Sequence, residues 1–246
     1  MISKANRGAP AEGDAPDNSL GGRAVLFDVD GVLLDSMAVY RQVWKSWSVV
    51  CGLDPDEVWA LTPGRRPTDT IRAVAPHLDL SDEIRRLTIL LDSQLEGLPA
   101  MPGAAELLAS IPPHTWALVT SNTEGVVRAC FRRLRLPTPY LVVDGDAVEL
   151  GKPHPEGFLK AASSLRMTPS NCLVVEDAPA GVMAALAAGM TVFGISSTEP
   201  ADRVGAAHRV FASLQEAVPA IQRWVGMPDG FPGAAPSGAV DSDSSR

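Results

Sequence analysis

Five short apolar runs punctuate this chain, at residues 23–28, 115–120, 140–143, 172–176 and 190–195. Helical patterns follow near 103–111, 123–135, 155–166, 178–188 and 213–225. The runs are largely apolar throughout, as strands covered on both faces are. Strand and helix taking turns in this way predict an α/β fold built on a doubly wound parallel sheet. The Gly189-Met190 pair suits that reading, because a glycine there ends one helix just before the next strand.

The first run ends in Asp28-Val29-Asp30-Gly31. In an open α/β sheet the carboxyl ends of strands are where ligands bind. Residues i and i+2 of a strand face one way, so the two carboxylates converge and repel. A cation between them, or a proton held by one of them, relieves the repulsion. Gly31 permits a sharp turn and a close backbone approach to a ligand. Taken alone, the tetrapeptide is better read as an acidic turn after an ordinary strand.

Between the first two strands the alternation stops. Residues 37–100 show helical patterns near 36–51, 55–61, 67–76 and 81–96 and no convincing strand. Trp44, Trp47 and Trp59 are the expected core of this helical unit. The chain ends differ again. Residues 1–21 and 226–246 are rich in Gly, Pro, Ser, Ala and Asp, and disorder is expected there.

Composition narrows the function classes. A formal net charge of −8, with no dense basic cluster to offset it, argues against a nucleic-acid surface. No apolar run is long enough to span a bilayer, and the first residues lack the apolar segment of a secretory signal. The three cysteines, Cys51, Cys130 and Cys172, are scattered, which fits reduced thiols in the cytoplasm. No protein partner is evident.

Four segments, in order, carry a resemblance. Asp28-Val29-Asp30-Gly31-Val32-Leu33-Leu34-Asp35-Ser36 resembles the first motif of the haloacid-dehalogenase-like phosphohydrolases. Trp116-Ala117-Leu118-Val119-Thr120-Ser121-Asn122 is similar to the second, Gly151-Lys152-Pro153-His154-Pro155 to the lysine motif, and Leu173-Val174-Val175-Glu176-Asp177-Ala178-Pro179-Ala180-Gly181 to the acidic metal motif. The likeness spans roughly residues 22–225, nearest to the β-phosphoglucomutase and sugar-phosphate phosphatase group. It implies a core of residues 22–36 and 101–225, with residues 37–100 inserted as a small helical cap.

The resemblance also implies roles. Asp28 is the nucleophile that becomes an aspartyl phosphate, and Asp30 the general acid and base, which requires a raised pKa. Thr120 donates to the phosphoryl group, with Ser121 and Asn122 adding donors on the same turn. Lys152 offsets charge on the nucleophile and the transferring group. Asp28, the backbone carbonyl of Asp30, and Asp177 would hold Mg2+, with Glu176 binding it directly or through water. His154 is expected to have no catalytic part.

In the cap, Gly64-Arg65-Arg66-Pro67-Thr68-Asp69-Thr70-Ile71 resembles the G-x-R-x-x-D-x-I loop of sugar and polyol phosphate phosphatases. Arg65 and Arg66 are the expected contacts to a small phosphorylated sugar or polyol; a salt bridge to the cap's own acids is the other reading. Mutases of the group carry a histidine where this chain has Tyr40 and an arginine where it has Pro67, which favours hydrolysis over mutation. A phosphonate hydrolase would use a cap lysine, and Lys45 matches a packing lysine instead. A binding module without turnover is the alternative from another class.

Overall fold

A computed structural model describes residues 22–92, 94, 97–196, 201 and 203–226. The expected disordered ends, 1–21 and the tail beyond Gly226, lie outside those residues. Among the described residues a six-stranded parallel sheet forms the centre. Its strands are β1 (Ala24–Phe27), β2 (Trp116–Val119), β3 (Val142–Val143), β4 (Cys172–Glu176), β5 (Thr191–Ile195) and β6 (Arg209–Phe211). Their order is β3-β2-β1-β4-β5-β6. The chain therefore winds outward from β1 in one direction and then from β4 in the other. The crevice for a ligand lies at that reversal, beyond the carboxyl ends of β1 and β4.

Five of the strands match the apolar runs; the sixth, β6, has no such run in the sequence. Arg209-Val210-Phe211 is only half-buried and begins with a charge, so it lacks the apolar signature of the others. Its arginine lies over the rings of Phe193 and Phe211, 5.5 and 4.7 Å from their centroids.

Residues of β1 alternate between two hydrophobic layers, as a pleated strand requires. Val25 and Phe27 pack on one face with α5 (Ala104–Ser110), α6 (Glu124–Leu134) and α9 (Leu214–Gly226). Ala24 and Leu26 pack on the other with α7 (Glu156–Ser164) and α8 (Pro179–Ala187). The sheet is thus covered on both sides, which is why its strands read as unbroken apolar runs.

Among the described residues the inserted segment holds four α-helices: α1 (Met37–Cys51), α2 (Pro55–Ala60), α3 (Pro67–Val74) and α4 (Leu80–Asp92). The last was expected to reach residue 96; residues 93, 95 and 96 lie outside those described. Asp54 caps α2 by accepting from Asp56 N and Glu57 N. The unit has its own core of Val43, Trp44, Trp47, Val58, Ile71, Ala75 and Leu87. Inside it Trp47 Nε1 donates to the buried Glu83 carboxylate at 2.8 Å. Its two connections to the sheet domain run antiparallel and pair: Asp35 N donates to Pro99 O and Met101 N to Leu33 O. Among the described residues no helix is long and apolar enough to cross a membrane, and the three cysteines are free thiols.

Candidate active site

Asp28 directly follows β1, and its backbone N–H still pairs with Val175 O of β4 at 3.0 Å. The neighbouring strand ends in Glu176, followed by Asp177. Pairing of the two strands therefore brings acids 148 residues apart into one cluster, each of Asp28, Glu176 and Asp177 offering an oxygen within 4.8 Å of the others. All three are buried.

Lys152 enters the same cluster. Its ammonium donates to Asp28 Oδ1 at 2.5 Å, Glu176 Oε1 at 2.7 Å and Val119 O at 3.1 Å. Three donors meet three acceptors, so the cation is fully satisfied. Burial alone would lower the Lys152 pKa, but the adjacent Asp28 and Glu176 outweigh it and keep the ammonium protonated. Asp28 goes the other way. Burial pushes its carboxyl up to about 8 against the pull of Lys152, and the charges of Glu176 and Asp30 add to the rise.

Glu176 is held from both sides, with Oε1 on Lys152 and Oε2 accepting from Ala178 N at 2.9 Å. It fits there because residue 181 has no side chain: a Cβ on Gly181 would lie 1.6 Å from Glu176 Oε1. Gly31 does the same for Asp177. A Cβ there would lie 2.0 Å from Asp177 Oδ2, and the residue's φ of 82° is in the region that glycine favours. Asp177 does not cap the following helix; Ala178 occupies that position, with no side-chain cap.

Asp30 sits in the turn after β1. Its Oδ1 accepts from Ser36 Oγ at 2.6 Å. Burial pushes its carboxyl up; Ser36, then Lys152, Asn122 and Tyr40 pull it down, and burial prevails. Tyr40 reaches in from α1 and accepts from Asn122 Nδ2. Burial also raises the Tyr40 pKa, so the phenol stays neutral. Ser36 and Tyr40 were not among the expected site residues. Ser36 lies inside the first motif, whereas nothing in the sequence around Tyr40 ties it to Asp30.

The β2 turn is divided. Thr120 is buried, and its Oγ1 accepts from Asn122 N at 3.0 Å, which leaves its O–H able to donate elsewhere. Ser121 Oγ donates instead to Gly64 O of the cap loop at 2.8 Å.

One cavity opens on part of this cluster. Asp28, Asp30, Asn122 and Asp177 line its floor, and the cap supplies its roof, with Tyr40 and Arg65 facing it. Trp44 and Trp59 add apolar wall. Trp47 is core alone, whereas these two also face the cavity. Arg65 is half-buried, and its buried Nε has no hydrogen-bond partner. Arg66 does not line this cavity.

Four carboxylates, Asp28, Asp30, Glu176 and Asp177, set against the Lys152 ammonium and the Arg65 guanidinium, carry a surplus of negative charge when ionised. Buried carboxylates need a counter-charge. A hard divalent cation taking carboxylate, water and phosphate oxygens fits this donor set.

The haloacid dehalogenase-like hydrolase profile matches residues 23–189. Hexitol phosphatase A of Escherichia coli is 37% identical over 202 residues, covering 79% of this chain and 92% of that protein. Glycerol-1-phosphate phosphohydrolase 2 of Saccharomyces cerevisiae is 32% identical over 192 residues, covering 73% and 77%. Among solved structures, β-phosphoglucomutase from Clostridium difficile superposes with a TM-score of 0.71 at 22% identity, covering 83% of this chain and 97% of that one; this likeness speaks to fold.

Proposed function

Because the chain belongs to the haloacid dehalogenase-like hydrolases, we propose that it is a magnesium-dependent phosphatase acting on a small sugar or polyol phosphate. The observation that carries the reading is Lys152 bridging Asp28 and Glu176, beside Asp177, at the carboxyl ends of β1 and β4. The relatives named above act on phosphorylated polyols, which supports the substrate class.

In this reading Asp28 attacks phosphorus, and the bond from phosphorus to the leaving oxygen breaks. Asp30 gives that oxygen a proton. Asp30 then takes a proton from water, which attacks phosphorus, frees phosphate and restores the Asp28 carboxylate. Lys152 offsets charge on Asp28 and on the phosphoryl oxygens. The Thr120 hydroxyl donates to a phosphoryl oxygen. Ser36, Asn122 and Tyr40 fix Asp30 between its two tasks.

Asp28, Asp177 and the carbonyl of Asp30 would hold magnesium, with Glu176 acting through water because both of its oxygens already accept hydrogen bonds. The cation supplies charge neutralisation at the phosphoryl group and lets Asp28 stay ionised at neutral pH. Arg65 would read the leaving group, being the cavity's cation with an unused buried donor.

The test is phosphate release across hexose, pentose and polyol phosphates with magnesium present. Turnover is expected, and Asp28→Asn should reduce it to background with an unchanged circular dichroism spectrum. Retention of more than a small fraction of the rate by that variant would remove the covalent mechanism. No turnover of any ester would favour a binding module.

A further inference from the structure

The two adjacent arginines of the cap loop part company. Arg65 opens on the cavity, and Arg66 turns toward the loop that delivers Lys152. Arg66 Nε and Nη2 donate to the two carboxylate oxygens of Asp69 at 2.7 and 3.0 Å. Nη1 donates to Gly145 O at 3.2 Å and to Val148 O at 3.0 Å, and Nη2 to Glu149 O at 3.0 Å. A guanidinium has five N–H donors and no acceptor. All five are engaged within the protein, so none is left for a substrate.

The three carbonyls belong to the sheet domain, 79 to 83 residues along the chain. The amides of the same stretch are held from the other side: Glu149 N and Leu150 N donate to the Glu156 carboxylate, each at 3.0 Å. The segment entering Lys152 is thus gripped by the cap on its carbonyl edge and by α7 on its amide edge. The fit is close. A Cβ on Gly151 would lie 2.6 Å from Arg66 Nε and 2.7 Å from Asp69 Oδ2.

We propose that Arg66, oriented by Asp69, is a positioning residue that fastens the cap to the Lys152 loop and so sets the lysine against Asp28. Its effect on rate rests on the phosphatase reading above; the fastening itself does not. A point charge cannot replace it, because three carbonyls and a carboxylate need the planar fork.

The test compares Arg66→Lys with wild type and with Arg72→Ala, an exposed arginine of α3, the helix that Arg66 precedes, as control. The assays use para-nitrophenyl phosphate and a hexitol phosphate, with hydrogen exchange read across residues 145–152. Loss of hydrogen bonds to a charged group predicts a kcat lower by about 10- to 100-fold on both esters, with KM little changed. Exchange at 145–152 should quicken while α1 and α4 keep wild-type protection, and Arg72→Ala should change neither. A lower melting temperature with unchanged kcat well below the melt would mean a structural role alone and would overturn the proposal. So would a loss confined to the hexitol phosphate, which would place Arg66 on the leaving group. If Arg66→Lys does not fold, Asp69→Asn must give a smaller loss in the same direction, and an unchanged kcat there counts against it. If wild type hydrolyses neither ester, the phosphatase reading fails; slow, wild-type exchange at 145–152 in Arg66→Lys would separately sink the fastening.

Discussion

At the scale of single residues, the site depends as much on missing atoms as on charged ones. Gly181 lies in the first turns of α8, where alanine would ordinarily be favoured by up to about 1 kcal/mol over glycine. Here the added methyl would overlap Glu176 Oε1, at 1.6 Å, in a side chain that is fully buried and held by Lys152 and Ala178 N. Overpacking of a core costs about 1–3 kcal/mol, so it outweighs the helix preference. Gly181→Ala is therefore expected to melt at a lower temperature than wild type and to lose kcat roughly tenfold or more, a change of ~1.4 kcal/mol at the transition state. Thermal denaturation and steady-state kinetics check this, and a raised melting temperature would show that Glu176 moves aside freely. Asp28, Glu176 and Asp177 are legible in sequence because each sits in a short local motif at a strand end, and Lys152 because it stands in a local motif of its own between Gly151 and Pro153. The work of Arg66 was not. Its sequence context suggested a substrate contact, but its partners are mostly backbone carbonyls, which leave no trace in residue identity, and they lie 79 to 83 residues away.

At the scale of elements, the same contrast holds between strands and their partners. Buried parallel strands announce themselves by unbroken apolar runs, so five were readable with boundaries within about two residues. The edge strand β6 has one neighbour and a half-exposed face, so its sequence carries no such run. The cap was readable as helices from periodicity, but its closure over Asp30 through Tyr40 and Asn122 needed the fold. The helical segment is nevertheless packed on a core of its own. The two hydrophobic layers of the sheet domain contain no residue of 37–97, and the connections at Leu34 and Ala100 already pair. Replacing residues 37–97 with a short Gly-Ser linker should therefore leave a sheet domain that unfolds cooperatively, measured by circular dichroism on heating. It should lose discrimination between a hexitol phosphate and para-nitrophenyl phosphate, because the roof that meets the leaving group is gone. Failure of that shortened chain to fold would mean that cap contacts such as those of Arg66 are required for the core itself.

At the scale of the whole molecule, an acidic protein gathers four of its acids where the sheet reverses direction, and these bear on how stability depends on pH and metal. Asp28 has a folded-state pKa of about 8 against an ordinary value of 3.8. A carboxyl whose pKa is raised on folding binds its proton more tightly in the folded state. Its stabilising contribution is therefore complete below pH ~3.8 and lost progressively as pH rises toward about 8. Without metal the protein should lose stability across that window from this group. Magnesium held by Asp28 as proposed would need the ionised carboxylate, so it would compete with the proton and restore stability where the proton is gone. The rise in melting temperature on adding magnesium to chelator-treated protein should accordingly be small at pH 5 and largest near pH 8. Calcium also prefers oxygen ligands but accepts a larger and looser shell. It should raise the melting temperature too, while supporting far less turnover. Differential scanning calorimetry at several pH values, with matched phosphate-release assays, measures both quantities. A magnesium shift independent of pH would place the cation away from Asp28. Full activity in excess chelator would mean that Lys152 alone balances the acids, and the surplus negative charge beside it would then have to be carried as protons.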